Sequence, residues 1–147
     1  IRRNGVPEKP GLHEFLSWLK EHSIKVAVAT STTRRVAEDY WKQSGIDQYI
    51  DASVCGDEVI NSKPDPEIFL KAASLLKVPI AACIVAEDSI NGLKAARAAG
   101  AISCMIPDLT PYTKELFPFC DYVSPSLLAC KEILLQTPEA DKLKSWK

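Results

Sequence analysis

Apolar positions recur along this chain in alternating helical and extended patterns. Leu12, Phe15, Leu16 and Leu19 fall on one helical face, so the segment opened by Pro10-Gly11 reads as an amphipathic helix running to about Glu21. Residues 24–29 form a short, mostly apolar run that reads as a buried strand. A second helix is expected over about residues 33–43, with Val36, Ala37, Tyr40 and Trp41 apolar and Gly45 as its stop. Residues 49–55 make a weaker strand. Asp65-Pro66 has the form of an N-cap with proline at the first helical position, which starts a helix through Leu76. A strand over residues 81–86 comes next. Ser89 is placed to cap a helix over residues 90–98, which Gly100 ends. Residues 102–106 and the short pair Tyr122-Val123 are further strands, and Ser124-Pro125 is expected to open a helix to about Leu135. Residues 137–147 form a polar tail expected to fray.

Strands separated by helices of this length imply right-handed crossovers and a parallel sheet covered on both faces, an α/β fold. The 147 residues suffice for one domain, burying roughly 70% of the unfolded-chain surface. Hydrophobic residues at 46% and charged residues at 25% exclude a disordered chain. With 18 Lys plus Arg against 19 Asp plus Glu, the net charge of −1 argues against nucleic-acid and acidic-membrane partners. Cys55, Cys83, Cys104, Cys120 and Cys130 form no C-x-x-C pair and several sit in apolar runs, so they read as buried, reduced thiols of a cytoplasmic protein. No apolar run approaches the ~20 residues of a membrane span.

In a parallel sheet, ligands bind at the carboxyl ends of the strands. Three strand exits here carry chemistry: Thr30-Ser31-Thr32 after the first, Lys63 in the loop after the second, and Glu87-Asp88 closing the third. Each has a structural explanation when taken singly. The hydroxyls could cap a helix, Lys63 could be solvated, and the carboxylates could sit favourably near a helix N-terminus. Placed together at one sheet edge, they supply what holds a phosphoryl group and a metal. Mg²⁺ prefers hard oxygen ligands and is typically held by one or two carboxylates plus phosphate and water. No Asp-x-Asp occurs in the chain, so no obvious nucleophile accompanies the set.

From about Pro7 to Leu135 the chain resembles the haloacid dehalogenase superfamily, and within it the β-phosphoglucomutase-like phosphatases, sugar phosphatases and mutases. Val26-Ala-Val-Ala-Thr30-Ser-Thr resembles the second motif of that family, an apolar strand ending in Ser or Thr. Gly56-Asp-Glu-Val followed by Lys63-Pro64-Asp-Pro-Glu-Ile-Phe69 resembles the third, built around a lysine. Val85-Ala-Glu87-Asp88-Ser89-x-x-Gly92, continued by Ala95-x-x-Ala98-Ala99-Gly100-Ala101, resembles the fourth. The second motif alone is weak; the third and fourth at this spacing are quite specific. The resemblance implies a Rossmann-like sheet with helices on both faces. It also implies that Thr30 hydrogen-bonds the phosphoryl oxygens and that Lys63 neutralises the phosphoryl group. Glu87 and Asp88 would help bind Mg²⁺, and Ser31, Thr32 and Arg34 would lie where phosphate contacts are often found.

The first motif of the family, Asp-x-Asp-Gly-Thr on the central strand, has no counterpart here, and the resemblance therefore implies that residues 1–136 are the C-terminal part of a core domain. Re-entry from an inserted cap would fall at about residues 7–11, and the nucleophile strand and cap would lie upstream. On that reading the complete protein is a Mg²⁺-dependent phosphatase or phosphomutase acting on a small phosphorylated metabolite such as a sugar phosphate. These residues alone would be inactive, and an upstream segment would complete the sheet. The alternatives are a non-catalytic, truncated binding module and a metal-free haloacid dehalogenase; the Glu87-Asp88 pair speaks against the latter.

Overall fold

A computed structural model describes Arg2–Arg3, Val6–Pro7 and residues 11–106, 118–126 and 128–136. Strands β1 (Arg2–Arg3) and β2 (Val6–Pro7) form a small antiparallel pair. Helix α1 (Leu12–Glu21) then buries Leu12, Phe15, Leu16 and Leu19, the face that the helical spacing selects. Gly11 precedes it at φ 77°, and a Cβ there would meet Leu128 Cγ at 2.8 Å. Both facts call for a residue without a side chain.

Strand β3 (Ala27–Ala29) pairs in parallel with β4 (Ala52–Val54) after the crossover through α2 (Arg34–Ser44). Helix α3 (Glu67–Leu76) leads to β5 (Ile84–Glu87), and α4 (Ile90–Ala99) leads to β6 (Ile102–Met105). Strands β5, β6 and β7 (Tyr122–Val123) form a second parallel sheet, in that order, and α5 (Cys130–Gln136) follows.

The expected strands at 24–29, 49–55 and 81–86 are shorter than the apolar runs. Before β3 the Asp51 carboxylate takes the Val26 N–H at 2.7 Å. Tight 3₁₀ turns at Asp47–Tyr49 and Ile80–Ala82 occupy the starts of the other two runs. Ser89 caps α4 as its spacing suggests, accepting from Gly92 N at 3.1 Å. The helix expected from Ser124-Pro125 is a correction: α5 begins only at Cys130, because the buried Ser124 hydroxyl donates to Ser126 O at 2.8 Å and folds a turn there instead. The tail at residues 137–147 lies outside the described residues.

Side chains alternate across the strands, so each strand serves two cores. Val26, Val28, Ile84, Ala86 and Cys104 pack with Leu12, Phe15, Leu16, Leu19, Trp41, Cys130 and Leu134 on the α1, α2 and α5 side. Ala27, Ala29, Val54, Cys83 and Val85 pack with Ile68, Phe69, Ala72, Leu76, Ala95 and Ala96 on the α3 and α4 side. Among the described residues no strand pairs with both β3 and β5, so the two sheets meet along a seam. Both hydrophobic clusters cross that seam.

Candidate active site

Strands β3 and β4 pair in parallel, so their carboxyl ends share an edge, and Lys63 from the loop after β4 joins the end of β3 at Ala29 to the end of β5 at Glu87. Thr30 directly follows β3 and is buried. Its backbone N–H donates to Val54 O at 3.0 Å, and its Oγ1 accepts from Thr32 N at 3.1 Å. An Oγ1 that accepts within its own loop still has its hydrogen to donate. Ser31 is exposed and Thr32 half-buried on the same turn.

The loop after β4 is laced to this turn. Gly56 N donates to Thr32 O at 2.8 Å, and a Cβ on Gly56 would lie 2.1 Å from Ser31 O. Arg34 completes the lacing. Its Nε and Nη2 form a fork onto the Glu58 carboxylate at 3.1 and 2.7 Å, and Nη1 donates to Ser53 Oγ at 2.8 Å. The hydrogen bond to Glu58 raises the guanidinium further above its usual range, and the same contact holds the Glu58 carboxyl below the usual carboxylate range. Glu58 Oε1 also accepts from Cys55 N at 2.9 Å. Arg34, expected beside the phosphate, is thus engaged by protein groups that fix two loops relative to each other.

Lys63 reaches across the seam. Its Nζ lies 2.6 Å from Glu87 Oε2 and 3.1 Å from Ala29 O, and 5.0 Å from the centroid of the Phe69 ring. The Lys63 side chain is 8% exposed and that of Glu87 1%, so the ion pair is desolvated. The ion pair thus fastens the loop after β4 to the end of β5. Glu87 is held from the other side as well: Oε1 accepts from Asp88 N at 3.2 Å and from Ser89 Oγ at 3.3 Å. A Cβ on Gly92 would lie 2.2 Å from Glu87 Cδ, so the first turn of α4 is cut back to receive the carboxylate. Asp88 is 3% exposed, beside Glu87.

The donor chemistry at Glu87 and Asp88 suits a hard cation. The set is short in number, since among the described residues no three His, Cys, Asp or Glu side chains are grouped to hold a metal. Glu87, moreover, is oriented here by Lys63.

One contributor went unrecognised in the sequence. Glu67, at the start of α3, accepts from Ile60 N at 2.8 Å and Asn61 N at 2.9 Å, which pins the loop leading to Lys63. Those backbone hydrogen bonds, first that from Ile60, hold its carboxyl below the usual range. The acid at the first helical position after Asp65-Pro66 was the available signal.

The sequence and the fold have counterparts among known proteins. The chain is 43% identical over 95 residues to a phosphorylated carbohydrates phosphatase of Thermotoga maritima, covering 65% of this chain and 44% of that protein. It is 36% identical over 126 residues to protein CbbY of Rhodobacter capsulatus, covering 82% and 54%. Among solved structures, CbbY of Rhodobacter sphaeroides in complex with phosphate superposes with a TM-score of 0.74 at 30% identity, over 83% of this chain and 55% of that one. The chain therefore spans about half the length of the relatives it matches. The haloacid dehalogenase-like hydrolase pattern matches residues 3–100, two thirds of the chain, and with the α/β fold above this establishes that the chain belongs to the haloacid dehalogenase-like hydrolase family.

Proposed function

We propose that the complete protein is a Mg²⁺-dependent phosphoryl-transfer enzyme, a phosphatase or phosphomutase, acting on a small phosphorylated carbohydrate. The observation that carries this reading is the buried Lys63, whose ammonium spans the exits of β3 and β5 at 3.1 Å from Ala29 O and 2.6 Å from Glu87. A desolvated cation fixed from two sides meets a phosphoryl oxygen without reorganising, which is how preorganised charge lowers a barrier. Thr30 donates its hydroxyl hydrogen to a second phosphoryl oxygen. Glu87 aims Lys63, and the Arg34–Glu58 lacing keeps the Thr30 and Lys63 loops at a fixed separation. Asp88, with Glu87 behind it, would hold Mg²⁺, whose charge when bound offsets that developing on the phosphoryl oxygens.

The family resemblance assigns the nucleophile to an aspartate on a further strand upstream of these residues. The seam between β3 and β5, with apolar groups crossing it on both faces, supports a place for that strand. The relative from Thermotoga maritima supports a phosphorylated carbohydrate as the substrate class.

The test is release or transfer of phosphate from a panel of sugar phosphates by the full-length protein, with and without EDTA. Lys63→Ala is expected to lower kcat by about 10²–10³-fold, and EDTA to abolish turnover. Full activity in EDTA, or in the Lys63→Ala variant, overturns the reading.

A further inference from the structure

Two thiols away from this edge lie face to face in the core. Cys104 of β6 and Cys130 in the first turn of α5 have their Sγ atoms 4.0 Å apart, across 26 positions of sequence. Both are buried in the cluster that packs α1 and α5 onto the sheet. We propose that Cys104 and Cys130 form a modification site, a reversible disulfide that ties α5 to β6.

A disulfide has its sulfurs about 2.05 Å apart. Closing the present 4.0 Å separation brings the two sulfurs nearer by about 2 Å. The two sulfurs differ in access. Cys104 is held mid-strand between β5 and β7, whereas Cys130 begins a helix of seven residues that follows half-buried Leu128 and Ala129. Local opening of a short helix costs less than opening a strand paired on both sides. Cys130 is therefore the first sulfur to react.

The oxidant is a small disulfide of the glutathione class. The Cys130 thiolate attacks one of its sulfurs and expels one thiolate, leaving a mixed disulfide on the protein. The Cys104 thiolate then attacks the Cys130 sulfur and expels the second thiolate. Two protons and two electrons leave the protein, the small disulfide becomes two thiols, and excess thiol reverses both steps. Cys104 sits opposite Ala86 of β5, on the face of the sheet that α1 and α5 cover.

The experiment treats the full-length protein with oxidised glutathione under native conditions, then maps peptides without reduction and records thermal unfolding. A Cys104–Cys130 bridge is expected, with loss of two hydrogen masses. The cross-link is expected to raise the folding equilibrium constant roughly a hundredfold and Tm by about 5–10 °C. Cys130→Ser abolishes both changes, while the triple variant C55S/C83S/C120S retains both. If the triple variant does not fold, peptide mapping of the wild-type protein still reads which sulfurs are joined. A glutathione adduct on Cys130 that never resolves, a bridge to a different cysteine, or a bridge that forms only in denaturant overturns the proposal.

Discussion

At Gly92 two physical effects of opposite sign meet. Alanine stabilises a helix interior by about 1 kcal/mol over glycine, yet a Cβ here would sit 2.2 Å from Glu87 Cδ. Glu87 can retreat only by loosening its bond to Lys63. Gly92→Ala is therefore expected to cost about 1–3 kcal/mol of stability, as overpacking does, when measured by urea unfolding. A stabilised variant would show that Glu87 moves freely and is not what aims Lys63. Cys55 carries a second residue-scale prediction. Burial pushes its thiol from 9.0 up to about 11. The folded state thus binds that proton more tightly than the unfolded state, so stability is unaffected below pH 9 and falls as pH rises from 9 to 11. Comparing thermal unfolding of wild type and Cys55→Ala across that range should give curves that converge towards pH 11. A constant offset between them would mean the thiol titrates normally.

Among elements, the exit loops of β3 and β4 behave as one unit because Arg34 grips Ser53 and Glu58 from the start of α2. Lysine cannot reproduce that fork. Arg34→Lys is expected to cost about 1 kcal/mol and to speed hydrogen exchange at Cys55 N–H, whose acceptor is the gripped carboxylate. Unchanged exchange would leave Arg34 available for substrate instead. This arginine also shows where sequence reasoning stops. The two residues it braces, Ser53 and Glu58, lie 19 and 24 positions away, so nothing in its local pattern separates a phosphate contact from a loop brace. The face of α1 was legible because Leu12, Phe15, Leu16 and Leu19 repeat at helical spacing and all four are buried. The Lys63 and Glu87-Asp88 edge was legible because parallel strands deliver their exits to one side. The start of α5 was not. Ser124-Pro125 has the composition of a helix start, and only a local hydroxyl bond to Ser126 O diverts it.

For the whole molecule, the seam between the β3–β4 sheet and the β5–β6–β7 sheet is the feature with the widest reach. Each half has its own hydrogen-bonded strands, and the apolar clusters on both faces are non-directional, so they tolerate a small slide. The ammonium of Lys63 does not, because it is bonded to Ala29 O in one half and to Glu87 in the other. It acts as a strain gauge laid across a joint. A slip of a single ångström would break the hydrogen bond to Ala29 O or that to Glu87 while leaving both cores buried. With the upstream strand proposed above seated in the seam, the two Lys63 hydrogen bonds still require both halves to keep register, so turnover by the full-length protein is expected to decline at lower urea concentration than the far-ultraviolet circular dichroism signal, and coincident loss of the two would refute this. The charge that readies the site is also its most sensitive register of how the two halves are aligned, so substitutions far from any substrate, along either face of the seam, should be felt first as lost chemistry and only later as lost structure.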